Sequence, residues 1–210
     1  MHLDLPTLFS LLVIQSLALA LGLPLLMGWR QASAAARQAQ LAIGLQGLGW
    51  LALLLAGLAW QRTLGALAMG LIGASLSSLW LAMNDWLGPR RGRRAMLAAP
   101  VLALTFYLLS YESYAWRVAG TNTLFGLQLL MVCALLARRP LRLEPELALH
   151  SRRWRGLLLA CLGLLAGLTF WRGALALFDA AAYPSFYSPH PVNVLAAVVC
   201  HVALSLSLAA

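Results

Sequence analysis

Long apolar runs alternate with short polar breaks along the whole chain. Runs centred on residues 5–27, 39–60, 64–83, 96–116, 119–137, 156–178 and 192–210 each approach the length of a membrane span. A helix needs about 20 mostly apolar residues to cross a hydrocarbon core about 30 Å thick. The pattern therefore predicts an all-α polytopic membrane protein, a seven-transmembrane-helix bundle. Pro24 and Pro100 fall inside runs, a defect that neighbouring helices can accommodate in a membrane bundle. The third run carries Gly70, Gly73, Ala74, Ser75, Ser77 and Ser78, a small, weakly polar stripe that suits close approach by a neighbouring helix.

The breaks orient the bundle. Only Gln61, Arg62 and Thr63 part the second run from the third, and Gly88-Pro89 marks a turn before Arg90, Arg91, Arg93 and Arg94. The longest break, residues 137–155, holds Arg138, Arg139, Arg142, Arg152, Arg153 and Arg155. Short cytoplasmic loops carry the Lys/Arg excess, so this island anchors one face as cytoplasmic. Phased from it, inside loops hold Arg30 and Arg37, then the four arginines of 90–94, then the six of the island. Arg62, Arg117 and Arg172 are left for the outer side. That distribution predicts an outside N-terminus and a cytoplasmic C-terminus.

Composition agrees with the pattern. Of 210 residues 62% are hydrophobic and 10% charged, and mean hydropathy is +0.82, far from the near-half apolar, quarter-charged balance of soluble domains. The net charge of +9 is carried entirely by arginine and reads as retention of one face in the cytoplasm, next to the phospholipid bilayer. No basic patch interleaved with aromatics points to nucleic acid.

The chemistry is sparse. Cys133, Cys161 and Cys200 each lie within an apolar run without a C-x-x-C partner and read as packing residues. The four histidines, His2, His150, His190 and His201, form no set that suggests metal or haem, so no cofactor is expected. No phosphate loop, nucleophile elbow or H-E-x-x-H is present; the chain itself is not read as catalytic. The polar groups that remain gather near the outer edge: Glu112, Arg117, Asn122 and Arg172, with Asp179 and His190 on the adjoining loop. A charge within a span costs about 2.5–3.5 kcal/mol on insertion scales. Glu112 could offset that cost by pairing with Arg117 or Arg172. The alternative use of the same residues is a pocket for a small polar or anionic ligand, walled by Tyr111 and Tyr114 together with Tyr107, Trp116, Tyr183, Phe186 and Tyr187. Interfacial anchoring also draws aromatics to this level, and the two uses stay open here.

The opening LDLPTLF at 3–9, the run R-x-x-G-T-N-T-L at 117–124 and the exit A-R-R-P at 137–140 resemble the multi-span N-terminal sensory region of bacterial diguanylate cyclases of the GGDEF type. The resemblance implies a signal-input domain at 1–210, multi-pass in a bacterial inner membrane, and a cytoplasmic output domain after Ala210 that makes cyclic di-GMP as a homodimer. It carries over Arg117 and Asn122 as outer-edge positions, with Arg172 as their companion. The other readings are a small membrane carrier or channel component, and a structural membrane subunit.

Overall fold

A computed structural model describes residues 5–27, 32–137, 145–178 and 191–208. All regular structure among them is helical: α1 (Leu5–Met27), α2 (Ala34–Ala56), α3 (Gln61–Leu87), α4 (Arg93–Leu109), α5 (Tyr114–Leu136), α6 (Pro145–Phe178) and α7 (Pro191–Leu208). Helices α1, α2, α3, α5, α6 and α7 pack in succession, and α1 meets α7 to close a ring. Helix α4 lies against α3 and α5, in the groove where those two touch.

Local chemistry sets the helix ends. Ser33 accepts a hydrogen bond from the Ala36 amide at 3.1 Å, an N-cap that satisfies one of the helix's orphan donors. The α2–α3 reversal is so tight that Trp60 takes a left-handed conformation (φ 52°, ψ 42°), an uncommon state for a bulky residue. After α3 the chain turns through Gly88 and Gly92, both at positive φ, while Asn84 Oδ1 accepts from the Arg90 amide at 2.7 Å.

The seven-span bundle expected from the apolar runs is not supported. Among the described residues four helices are long and apolar enough to cross a membrane: Ala34–Ala56, Gln61–Leu87, Tyr114–Leu136 and Trp154–Phe178. The run at 96–116 fails for a physical reason. Its helix stops at Leu109: Ser110 makes the last helical bond, to the Phe106 carbonyl, leaves the helical region at φ −95°, ψ 15°, and accepts from the Ser113 amide in a tight turn. The next helix then starts at Tyr114. What is left of α4 is 17 residues that begin with Arg93 and Arg94 and contain Pro100, about 26 Å of helix. In α1 the apolar stretch is the shorter Phe9–Gly22, and α7 is not among the four. The assignment of an outside N-terminus and a cytoplasmic C-terminus rested on seven crossings and falls with that count.

A multi-pass membrane domain remains. Leu41, Leu67, Leu130 and Leu164 stand about half exposed on the outside of the bundle, a display of apolar surface that suits lipid and would promote association in water. Trp86 on α3 meets Trp154 on α6 edge-on at 5.3 Å. That contact brings the end of α3, just before Arg90, Arg91, Arg93 and Arg94, beside the start of the α6 span at Trp154 and its neighbour Arg155. Arg62, Arg117 and Arg172 lie toward the opposite end.

Two internal features hold the helices at fixed distances. At Gly49 on α2 an added Cβ would come within 2.7 Å of Ile72 Cγ1 and 3.2 Å of the Ile72 backbone nitrogen, so α2 and α3 touch nearly backbone to backbone. Gly49→Ala is expected to cost about 1 kcal/mol, the low end of the over-packing range, because the side chain of Ile72 can yield and its backbone cannot. Thermal unfolding in detergent checks this. Gly163→Ala on α6, where a Cβ meets nothing within 4 Å, is the matched control and leaves the melting temperature level or raised.

The second feature is a buried polar node. Pro100 has no N–H to give the Met96 carbonyl one turn earlier. Ser77 Oγ on α3 donates to that carbonyl instead. Gln128 Nε2 on α5 donates to Ser77 Oγ at 3.1 Å and to the Gly73 carbonyl at 3.0 Å. Gly73 permits the approach: a Cβ there would sit 3.1 Å from the Pro100 Cα.

Candidate functional site

A cavity of about 320 Å³ occupies the interior of the ring. At one end it is bounded by Gln61, Tyr107, Tyr111, Tyr114 and Arg117; a middle band carries Thr121, Asn122, Thr169, Arg172 and Asn193. Further in, its walls are mainly apolar, formed by Ile72, Leu76, Leu129 and Leu165. Polar groups thus concentrate toward the end where α2 turns into α3 and α4 into α5.

The outer wall is built by the Ser110–Ser113 turn. By ending α4 there and starting α5 at Tyr114, it stacks three tyrosines around one guanidinium. Arg117 lies 4.8 Å from the ring centroid of Tyr111, 5.3 Å from that of Tyr107 and 5.6 Å from that of Tyr114. Its Nη1 also donates to the Tyr111 carbonyl. Arg62 approaches the Tyr111 ring at 5.4 Å. The faces of these rings carry partial negative charge, so each contact is attractive. Arg172 is brought to the same cavity from α6 and is 9% exposed.

Several neighbouring donors are directed to their own helices. Thr121 Oγ1 donates to the Arg117 carbonyl at 2.7 Å, Thr169 Oγ1 to the Leu165 carbonyl at 2.7 Å, and Asn122 Nδ2 to the Val118 carbonyl at 2.7 Å. Back-bonding of this kind satisfies a hydroxyl or amide that would be costly left unpaired in an apolar medium.

Of the residues singled out in the sequence, Tyr111, Tyr114, Arg117, Asn122 and Arg172 line the cavity. Glu112 does not. It is exposed on the α4–α5 turn and makes no ion pair with Arg117 or Arg172 among the described residues; Arg117 is held by aromatic faces and a carbonyl instead. Glu112→Gln is therefore expected to leave the melting temperature unchanged, since exposed substitutions away from specific contacts have little effect. A clear drop would mean that Glu112 holds a partner. Asp179, Tyr183, Phe186, Tyr187 and His190 lie outside the described residues. No group of three or more His, Cys, Asp or Glu side chains among the described residues could hold a metal ion.

Sequence reading missed Asn193, Thr121, Thr169 and Gln46, which also line the cavity. Asn193 is 1% exposed; a lone amide in an apolar run was its available signal. No protein-family model, no curated protein and no solved structure matches the chain.

Proposed function

We propose that this membrane-embedded helical domain is a signal-input module of the bacterial inner membrane. It receives a small polar or anionic ligand in the cavity and regulates a cytoplasmic diguanylate cyclase domain. The observation that carries this reading is the cavity itself: among the described residues two arginines and no carboxylate line a space inside a closed helix ring. A signal can move a bundle only by binding one arrangement more tightly than another, and an occupant of this cavity would touch helices on every side of the ring. The arginine-rich end is the cytoplasmic end by the positive-inside rule. The output class comes from the resemblance of LDLPTLF, R-x-x-G-T-N-T-L and A-R-R-P to the membrane regions of diguanylate cyclases. Dimerisation would belong to that output domain.

The first test is the reading frame beyond the codon for Ala210. Continuation into a short helical linker and a GGDEF-bearing domain is expected, with cyclic di-GMP synthesis by the whole gene product that responds to ligand. A stop codon would overturn the cyclase output. Solute flux through the purified protein in vesicles would favour a carrier instead.

A further inference from the structure

We propose that the cavity takes an amphiphilic carboxylate: one anionic head held by Arg117 and Arg172, and one apolar chain running inward along the ring. This rests on reading the cavity as a ligand site and names the class of ligand.

Charge selects the head. Among the described residues the lining carries two guanidinium groups and no Asp or Glu, so an anion is favoured and a cation repelled. The tyrosine cage that could otherwise hold a quaternary ammonium is already filled by Arg117. Hydrogen bonding narrows the choice further. Thr121 and Thr169 direct their hydroxyl protons to their own helices, and the charged donors of the lining are the guanidiniums of Arg117 and Arg172. A guanidinium has five N–H donors in a planar fork, so the bond from Arg117 to the Tyr111 carbonyl leaves others for a carboxylate. Carboxylates match that fork in bidentate fashion.

Shape selects the tail. Gln61 and Leu76 on α3, and Tyr114 and Leu129 on α5, all border the cavity. The helical rise across either pair is about 22 Å. A volume of about 320 Å³ drawn out over that length is narrow, and it lies at the small end of ligand cavities, about 300–1,000 Å³. A single short chain suits such a channel better than the bulk of a two-chain lipid. The inner walls of Ile72, Leu76, Leu129 and Leu165 would bury apolar surface against the chain. A compact dicarboxylate would leave those walls uncovered.

The test is equilibrium binding of radiolabelled decanoate to the purified chain in lipid nanodiscs, with empty nanodiscs subtracted. Saturable one-to-one binding is expected. Decanol should bind at least about tenfold more weakly, since hydrogen bonds to a charged group are the stronger kind. Decyltrimethylammonium should not compete. Arg172→Gln should weaken decanoate about tenfold or more and Arg172→Lys by less, because lysine keeps the charge and loses the fork. The comparison among ligands on the unaltered protein needs no variant to fold. Decanol equal to decanoate, or decyl phosphate tighter than decanoate, would overturn the carboxylate head. Saturable binding of succinate without decanoate would remove the amphiphile and leave the ligand site standing. Failure of all these probes would remove both.

Discussion

Arg117→Ala is expected to destabilise the protein by about 2–4 kcal/mol, the largest loss of any single change considered. The figure combines cation–π contacts worth about 0.5–2 kcal/mol each with a charged hydrogen bond worth about 1.5–3 kcal/mol, discounted because the contacts share one side chain and do not add. The three rings of Tyr107, Tyr111 and Tyr114 surround this guanidinium, and its bond to the Tyr111 carbonyl ties the first turn of α5 to the turn before it. Arg117→Lys should recover only part of the loss, because an ammonium lacks the planar face that stacks on aromatics. Thermal unfolding in a mild detergent measures both variants. Equal stability of Arg117→Ala and the parent would mean that the cage is incidental to folding.

The second large effect is a rescue. Ser77→Ala is expected to cost about 1–3 kcal/mol, the penalty for a buried acceptor left without a donor. Here the acceptor is the Met96 carbonyl, to which Ser77 Oγ donates. Its ordinary helical partner would be the amide of residue 100, which proline lacks. Pro100→Ala restores that amide. In the double variant the Met96 carbonyl then has a partner inside its own helix, so most of the cost of Ser77→Ala should vanish. A double-mutant cycle reads this as a coupling of about 1 kcal/mol or more. Additive losses would show that Ser77 acts through Gln128 and Gly73 alone. Gln128→Leu should cost less than Ser77→Ala. Inside α3 the Gly73 carbonyl keeps the amide four residues on, that of Ser77, and the Ser77 hydroxyl keeps the Met96 carbonyl as its acceptor.

Both results bear on the site. The cage sets the outer wall of the cavity, while the node fixes α4 and α5 against α3 just behind its inner wall. Loosening either should alter ligand affinity as well as stability, and the decanoate assay can report that separately from unfolding.

The small-residue stripe of α3 was legible as a place of close approach, and Gly73 against Pro100 is such a contact. Its chemistry was not legible. Ser77 looked like a small residue, and nothing within the third run marks it as the donor that replaces a missing proline amide on another helix. Arg117, Asn122 and Arg172 stood out because charged and amide groups are scarce at the ends of apolar runs. Glu112 stood out for the same reason, yet the turn that contains it leaves it exposed.

By itself, the sequence determined that the chain is helical, apolar and built for a bilayer, with arginine concentrated in particular breaks. Those properties are sums over neighbouring residues, and hydropathy needs no knowledge of contacts. Tertiary structure alone decided how many helices qualify as spans, that the Ser110–Ser113 turn shortens α4, and which polar residues share one cavity. These depend on where individual backbone hydrogen bonds are exchanged or lost, and on which side chains from distant helices meet. An average over a run of residues contains neither.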